Sequence, residues 1–243
     1  MTKIISILHI PIHPLSRKEL ETEIRNMLSG NSFSQIATVN PEFLVEAQKN
    51  KKFQSLLQST VNICDGSGIS ILGRLLLGKS IPRIPGVEVA EMICRICAEE
   101  KKSVFFLGGF GVAEKASQAM QKKYPQLHIA GTLDGDMNTL TEVQQARPDV
   151  ILVAFGAPRQ ELWLAEKGTQ IPSLRLGVGI GGTFDFWAGK VRRAPAFLRA
   201  LGLEWFWRLL CEPRKRIKRI WRAVCVFPWM MIRRVKKSKS RKA

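Results

Sequence analysis

Short apolar segments alternate with longer amphipathic segments along most of the chain. The apolar segments predict strands over residues 35–39, 61–64, 103–107, 127–130, 149–155 and 174–178. The segments between them have helical periodicity over residues 42–57, 69–77, 87–101, 112–124 and 163–169. Strands that alternate with helices are typical of a parallel sheet, because each crossover connection covers one face of the sheet. The pattern therefore predicts an α/β fold with a mostly parallel sheet and helices on both faces.

The charge distribution divides the chain of 243 residues into two parts. Residues 190–243 contain 18 Lys and Arg residues and two acids and thus have a net charge of +16, whereas residues 1–189 have a net charge of +2. We therefore expect a Rossmann-like core over residues 1–195 and a basic C-terminal appendage over residues 196–243. A segment with this charge implies an anionic partner, which is a membrane surface, a nucleic acid or a phosphorylated substrate.

The apolar residues of the appendage follow a helical pattern. Ile217, Ile220, Trp221 and Val224 have the spacing of one helix face, and Lys and Arg residues occupy the positions around them. An apolar face that contains Trp, beside basic residues, is typical of a helix that lies on an anionic membrane. Pro228 is expected to stop or kink this helix.

Cysteine usage and the lengths of the apolar runs indicate the compartment. The five cysteines are scattered and odd in number, which predicts free thiols. Cys94 and Cys97 form an isolated pair, which we interpret as buried small side chains rather than zinc ligands. The first apolar run, residues 3–8, is too short for a signal peptide, and no run approaches the ~18 residues of a membrane span. These features predict a cytoplasmic protein.

An acid and two glycines follow the predicted strand at residues 61–64. Asp65 comes directly after this strand, and Gly66 and Gly68 allow the backbone to turn and a ligand to approach closely. Ligands of open α/β sheets bind at the carboxyl ends of the strands, so Asp65 is a candidate catalytic residue. Arg83 lies between two prolines and is a candidate phosphate ligand. The alternative is that Asp65 caps the next helix and that Arg83 pairs with a surface acid.

Glycine turns follow other predicted strands. Gly108 and Gly109 stand at a strand-to-helix junction that can place backbone N–H groups against phosphate, although the third glycine of a dinucleotide fingerprint is missing. A tight turn without a ligand is the alternative. Gly156 introduces the turn before Gln160, and Asp185 ends a glycine-rich segment. Polar residues and glycines at several strand ends predict a concave pocket.

The turn Asp134-Gly135-Asp136 is a further candidate site. Many sugar-nucleotide transferases use two aspartates at this spacing to hold a divalent metal on the diphosphate. A solvated turn explains the same residues more simply.

The motifs, taken together, resemble one family in collinear order. The matching segments are Thr38-Val39-Asn40, Asp65-Gly66, Arg83-Ile84-Pro85-Gly86, Phe155-Gly156-Ala157-Pro158-Arg159-Gln160-Glu161, residues 181–189, Arg193-Ala194-Pro195, Gly202-Leu203-Glu204-Trp205 and Glu212-Pro213-Arg214. Over about residues 5–220 the chain resembles the WecG/TagA/CpsF glycosyltransferases. Several motifs in one order are more specific than any one of them.

The resemblance implies an inverting glycosyltransferase at the inner face of the cell membrane. Such an enzyme moves an N-acetylmannosamine-type sugar from a UDP-sugar donor to a polyprenyl-diphosphate-linked sugar acceptor, in cell-surface polysaccharide or teichoic acid synthesis. An alternative is a UDP-glucose or UDP-glucuronate transferase of an exopolysaccharide pathway. The protein would be cytoplasmic and peripheral on an anionic membrane surface, and the sequence is also compatible with a homo-oligomer.

The resemblance also implies roles for individual residues. Asp65 would be the general base, and the residues around the transferred and acceptor sugars would be Thr38, Asn40, Arg83 and Gln160. No metal ion or other cofactor is expected, which argues against the Asp134-Gly135-Asp136 turn as a metal site. The family usually has an aromatic residue near that turn, where this chain has Met137.

The chemistry of sugar transfer requires a base and cations. A carboxylate beside the attacking hydroxyl can accept its proton, and without a metal the charge on the departing UDP must be met by Arg, Lys or backbone N–H groups. We expect the UDP-binding residues to be Gly108, Gly109, Gly156 and Asp185. We expect the appendage to bind diphosphate through Arg208, Arg214 and Arg219, because arginine grips phosphate oxygens in two places.

Two other classes of protein share some of these features. A nucleic-acid-binding protein would explain the basic appendage but not an acid and glycines at the sheet edge, and the appendage has no recognised DNA- or RNA-binding motif. A Rossmann-type oxidoreductase would need a more complete glycine fingerprint. We therefore expect no nucleic acid partner and favour the transferase.

Overall fold

Six parallel strands form the central sheet of the computed structural model, which describes residues 3–135 and 138–240. In chain order the strands are β1 (Ile5–Ile7), β2 (Ile10–Ile12), β3 (Ser34–Val39), β4 (Val61–Cys64), β5 (Ser103–Gly108), β6 (His128–Leu133), β7 (Val150–Ala154) and β8 (Leu176–Gly179). The sheet has the strand order β4-β3-β8-β7-β5-β6, and β1 and β2 form a separate antiparallel hairpin. The predicted α/β fold is thus confirmed.

Helices connect the strands and continue to the end of the described chain. They are α1 (Arg17–Ser29), α2 (Pro41–Ala47), α3 (Lys51–Ser59), α4 (Ser67–Leu77), α5 (Gly86–Glu99), α6 (Ala113–Lys123), α7 (Leu140–Ala146), α8 (Arg159–Lys167), α9 (Thr183–Trp187), α10 (Ala196–Ala200), α11 (Glu204–Cys211), α12 (Pro213–Trp221) and α13 (Phe227–Ser240). The predicted single helix over residues 42–57 is wrong. Asn50 adopts an extended backbone and its side chain accepts a hydrogen bond from the Phe53 N–H, so a new helix begins there.

Both faces of the sheet are buried, as expected for parallel strands. In β7, Val150 and Leu152 belong to a core cluster shared with α1, α5 and α6, whereas Ile151 and Val153 belong to a cluster shared with α7 and α8. Every residue of this strand is buried. The alternation explains why β7 is continuously apolar in sequence.

All six carboxyl ends of the parallel strands lie at one edge of the sheet. Strands β3 and β8 are hydrogen-bonded neighbours in the middle of the sheet. From β3 the chain continues outward to β4 on one side of this pair, and it enters β8 from β7 on the other side. Such a reversal of strand order opens a crevice at the carboxyl ends of the two neighbours. The fold therefore places a crevice between the ends of β3 and β8, beside the end of β4.

The appendage packs against the core through its last helix. Phe227 and Met231 are buried in the cluster that also contains Phe43 of α2 and Ile69 of α4. A π-helical turn, Arg222–Val226, joins α12 to α13, and the helix continues past Pro228 to Ser240. Of the two predicted effects of Pro228, the stop is wrong, because the wider π turn directly before it lets the helix continue, and the kink stays a prediction.

The other face of the appendage is exposed to solvent. Its exposed large apolar side chains are Phe197, Leu201, Trp205, Phe206, Leu210, Ile217, Trp221, Val224, Trp229 and Ile232. The predicted apolar stripe on α12 thus points away from the core. Within residues 3–135 and 138–240, no helix combines the length and apolarity that a membrane span requires.

Candidate active site

Asp65 lies at the carboxyl end of β4, next to the crevice. Its backbone N–H donates to the Val39 carbonyl at 2.9 Å, which continues the pairing of β4 with β3. Arg83 lies beside it, because the Ile84 N–H donates to the Cys64 carbonyl at 2.8 Å and holds the proline-rich loop against the strand end. The Arg83 Nε then donates to the Asp65 carbonyl at 2.8 Å. The structure therefore brings together the predicted base and the predicted phosphate ligand.

The surroundings of the Asp65 carboxyl raise its pKa to about 6. Burial is the largest cause, and the carboxylate of Glu204 acts in the same direction. The guanidinium of Arg83, a hydrogen bond from the backbone N–H of Gly86 and the more distant Arg208 favour the charged form and limit the rise. A carboxyl with this pKa is ionised at neutral pH and is basic enough to accept a proton in a transition state.

Thr38 lies in β3, and Asn40 is the residue directly before α2. The Thr38 hydroxyl is buried and donates to the Gly179 carbonyl of β8 at 3.4 Å. The Asn40 side chain accepts hydrogen bonds from the N–H groups of Glu42 and Phe43, at 3.0 and 3.2 Å, and thereby caps α2. Both residues lie at the crevice. Their predicted contacts with sugars stay predictions alongside these structural roles.

Gln160 joins two of the glycine loops at the sheet edge. Its Oε1 accepts hydrogen bonds from the N–H groups of Gly156 and Gly181, at 3.0 and 3.1 Å. Its Nε2 donates to Glu161 Oε1 at 2.6 Å. The Glu161 side chain is fully buried, and burial raises its pKa to about 7. Gln160 therefore positions the loops after β7 and β8 in addition to any contact with substrate.

The glycine turns after β5 and β7 require a left-handed backbone. Gly108, Gly109 and Gly156 have φ angles of +90°, +95° and +79°, which side chains with a Cβ adopt rarely. The Gly109 N–H donates to the Ala154 carbonyl at 3.2 Å, and the Gly156 N–H is bonded to Gln160. Both N–H groups are therefore already used within the protein. The predicted role of these turns in UDP binding rests instead on the absence of side chains, which would let a ligand approach the sheet edge closely.

The two predicted acidic sites have local partners. Asp185 lies in α9, and its carboxylate is 3.6 Å from the Nζ of Lys190 in the segment after that helix. The Asp134 carboxylate accepts a hydrogen bond from the Ala113 N–H at 3.2 Å, at the start of α6. This capping contact favours a structural role for Asp134. Asp136 and Met137 lie outside the described residues.

Arg208 of α11 reaches the loop after β8. Its guanidinium lies over the Phe186 ring, 4.5 Å from the centroid, and a Cβ added at Gly182 would be 2.6 Å from its Nη2. Burial and the neighbouring Arg216 lower the pKa of Arg208 to about 10. In the described part of the chain, its Nε and Nη2 have no hydrogen-bond partner. Arg208 is thus a partly desolvated cation beside the loop after β8, and its role as a diphosphate ligand stays a prediction.

The other two predicted arginines of the appendage lie elsewhere. The Arg214 side chain is exposed, and the Arg219 Nε lies 2.6 Å from Glu42 Oε2 on α2. Arg216, which the sequence did not single out, is less exposed and lies 3.1 Å from Glu212 Oε2. Of the three candidates, Arg208 contacts the loop after β8, and the diphosphate-binding roles of all three stay predictions.

Comparison with known proteins identifies the family. The model of the glycosyl transferase WecG/TagA/CpsF family matches residues 5–241. The chain belongs to this family. The resemblance noted from the motifs is thus confirmed, and the protein is a glycosyltransferase.

Curated relatives are similar over most of their length. The chain is 32% identical over 217 residues to the N-acetylglucosaminyldiphosphoundecaprenol N-acetyl-beta-D-mannosaminyltransferase of Bacillus subtilis (strain 168), with 85% of this chain and 81% of the relative covered. It is 31% identical over 231 residues to the enzyme of the same name from Staphylococcus aureus (strain MRSA252), with 91% and 89% covered. The Bacillus spizizenii enzyme of that name is 33% identical over 208 residues, with 83% and 78% covered.

One acid of this WecG/TagA/CpsF glycosyltransferase was not predicted as a site residue. Glu204, on α11, is only 9% exposed, and its two carboxylate oxygens lie 3.8 Å from Arg83 Nη2 and 3.6 Å from Arg193 Nε. The motif around Glu204 was part of the family resemblance, but its contact with Arg83 spans more than a hundred residues of sequence. The pair with Arg83 attaches the appendage to the loop beside Asp65.

Proposed function

We propose that this glycosyltransferase moves an N-acetylmannosamine-type sugar from a UDP-sugar to a sugar carried on a polyprenyl diphosphate. The names of the relatives support the transferred sugar and the acceptor. The observation that carries the proposal is the position of Asp65, whose carboxyl has a pKa of about 6 at the open end of β4, beside Arg83. This arrangement suits a base that receives a proton from a sugar hydroxyl beside an anionic group.

The proposed reaction is a single displacement. The acceptor hydroxyl attacks the anomeric carbon of the donor sugar while its proton passes to the Asp65 carboxylate, and the bond from that carbon to the UDP oxygen breaks on the opposite face. One displacement inverts the anomeric centre, by analogy with glycosidases that form no covalent intermediate. The departing UDP gains negative charge. Arg208 is positioned to meet that charge: its Nε and Nη2 have no hydrogen-bond partner within the described residues, and the carboxylate of Glu212 lies 3.9 Å from Nη2.

We further propose that residues 196–243 act as an appendage that holds the enzyme on the inner face of the membrane. Exposed Trp205, Trp221 and Trp229 suit the interface of a bilayer, and the basic residues after Lys190 suit an anionic leaflet. Each Lys or Arg near such a leaflet contributes about 1 kcal/mol of attraction. The enzyme would then meet its lipid-linked acceptor where that lipid resides.

Product identification tests the proposed function. The purified protein is incubated with UDP-N-acetylmannosamine, its uronic acid, UDP-glucose or UDP-glucuronate, each with N-acetylglucosamine on a lipid diphosphate, and the products are analysed by mass spectrometry. We expect transfer from UDP-N-acetylmannosamine and loss of transfer in Asp65→Asn. Preferred transfer from UDP-glucose or UDP-glucuronate would refute the proposed donor, and transfer from none of the donors would refute the proposed reaction.

A further inference from the structure

An open cavity of about 550 Å³ lies beside the Arg83 loop, at the β4 end of the sheet. Helices α4, α5 and α10 and the segment after α10 form its walls. The glycine turns assigned to UDP lie at the ends of β5 and β7, which are several strands away from β4. The cavity is therefore a separate region of the candidate active site.

The charged groups of the cavity are mostly arginines. Arg17, Arg83 and Arg199 line it together with one acid, Glu88, so the charged lining residues have a net charge of +2. Glu88 is shared, because its carboxylate pairs with Arg17 and lies 3.2 Å from Arg193 Nη2. The Nε of Arg199 is buried and has no hydrogen-bond partner among the described residues. The lining thus retains an arginine whose hydrogen-bonding capacity is not fully used within the described residues, and arginine is suited to bind an anion.

The lining charge matches a diphosphate diester. Such a group carries one negative charge on each phosphate near neutral pH, and arginine forks bind phosphate oxygens in pairs. A net charge of +2 on the protein side is complementary to it.

An apolar strip begins inside the same cavity. Ile71 and Leu201 line it and are 55% and 69% exposed, and Leu75, one turn after Ile71 on α4, is 72% exposed. Residues four apart lie on the same face of a helix, so Ile71 and Leu75 continue the strip away from the arginines. Exposed aliphatic side chains that adjoin a cationic cavity suit a ligand with a charged head and a hydrocarbon chain.

We propose that this cavity binds the lipid-linked acceptor, with the diphosphate on Arg17 and Arg199 and the first isoprene units along Ile71, Leu75 and Leu201. The identity of this ligand as the acceptor rests on the proposed function. Arg83 lines the cavity and also donates to the Asp65 carbonyl at 2.8 Å. A sugar attached to the diphosphate can therefore extend past Arg83 toward the general base.

Direct binding of farnesyl diphosphate, measured by calorimetry without a sugar donor, tests the head-group site. We expect Arg17→Gln and Arg199→Gln each to weaken binding about tenfold, as expected for the loss of a charge-assisted hydrogen bond. The control is Arg175→Gln. Arg175 directly precedes β8, at the amino-terminal ends of the parallel strands and thus away from the cavity, so this variant is expected to bind farnesyl diphosphate normally. Unchanged affinity in both cavity variants would overturn the proposal.

A gain of affinity separates this effect from damage to the fold. Glu88→Gln removes the one acid from the charged lining, so farnesyl diphosphate is expected to bind several times more tightly. The control is Glu91→Gln, because Glu91 lies on the same helix and pairs with Lys123 outside the cavity. Equal or weaker binding in Glu88→Gln would contradict the electrostatic part of the proposal.

The apolar strip is tested with a double variant, Ile71→Gln with Leu75→Gln. We expect about tenfold weaker binding of farnesyl diphosphate and unchanged binding of inorganic pyrophosphate, since the change removes only apolar contacts. Ile4→Gln is the control, because Ile4 is equally exposed, at 54%, on the N-terminal segment. Equal loss for both probes would refute a separate site for the hydrocarbon chain.

Kinetic measurements distinguish the failure of this proposal from the failure of the proposed function. If the wild-type enzyme transfers sugar and the arginine variants raise the KM of the lipid acceptor but not that of the donor, both proposals are supported. If it transfers sugar and the variants leave the acceptor KM unchanged, the cavity proposal fails alone. If arginine-dependent binding of farnesyl diphosphate occurs without transfer to any lipid diphosphate, the proposed function fails and the ligand class of the cavity stands.

Discussion

Replacement of Asp65 by Asn is expected to lower activity and to raise stability. The carboxyl lies at the carboxyl end of β4, where burial raises its pKa from 3.8 to about 6. Folding therefore disfavours the ionised form that the reaction needs. Asn has nearly the same shape but no charge. The variant therefore lacks the proposed base, and its folded state is also free of the unfavourable free energy of a buried carboxylate.

The shift of the pKa gives the size and the pH range of the stability effect. A rise of about two units corresponds to about 3 kcal/mol at most, since one unit is worth about 1.4 kcal/mol. Well below pH 3.8 the carboxyl is protonated in both the folded and the unfolded protein, so wild type and variant should be equally stable. The wild type then loses stability relative to the variant as the pH rises from 4 to 6, and the difference is constant above that.

Thermal unfolding between pH 4 and 8, together with turnover at pH 7.5, measures both effects. We expect a melting temperature higher by several degrees in the variant at pH 8, with turnover lower by ~10²-fold or more. Glu142→Gln, an exposed change on α7, is the control and should alter neither quantity appreciably. A variant that is no more stable at pH 8 than wild type would refute the burial argument, and near-normal turnover would remove Asp65 from the mechanism.

Four further predictions concern the metal, the appendage and the nucleotide. EDTA should leave transfer intact; loss of activity that Mn²⁺ or Mg²⁺ restores would instead implicate the Asp134-Gly135-Asp136 turn. Removal of residues 236–243 should weaken liposome binding in a salt-dependent way, while a short-chain soluble acceptor is still used; equal loss of both would contradict a role limited to docking. Arg208→Gln should raise the KM of the UDP-sugar about tenfold and Arg214→Gln much less; the reverse order would refute the nucleotide role of the former. Removal of residues 196–243 should abolish transfer to the soluble acceptor; full activity would show that the appendage is only an anchor.

The sheet could be predicted because its signals are local. Strand β7 is a continuous apolar run and β3 carries the apolar residues Ile36, Ala37 and Val39, and the structure places the ends of both strands within one residue of the predicted ends. The break between α2 and α3 was missed, since the apolar positions continue across it and only the extended backbone at Asn50 marks the new start. Periodicity reports burial and carries little information about a single capping residue.

The position of Asp65 at the end of a strand could also be predicted from the local sequence, but the charged groups around its carboxyl could not. Its pKa depends on Glu204 and Arg208, which the chain brings back from the appendage. The buried state of Glu161 was also hidden, because an acid next to Gln160 in a short helix normally faces solvent. Here Gly179 leaves the space, since a Cβ at that position would collide with the Glu161 carboxylate. Such contacts join distant segments and have no local signature.

Helix α11 connects the exposed aromatic surface, which we propose faces the membrane, to the candidate active site within a single turn. Glu204, its first residue, is buried against Arg83, whereas the next two residues, Trp205 and Phe206, are exposed large aromatics. Arg208, one turn later, reaches the loop after β8. Insertion of the aromatic side chains into a bilayer would therefore also restrain Glu204 and Arg208, two of the charged groups that act on Asp65. The exposed aromatic residues and the proposed base are in this way linked through one helix, which supports the proposal that the site is completed at the membrane, where a lipid-linked acceptor resides.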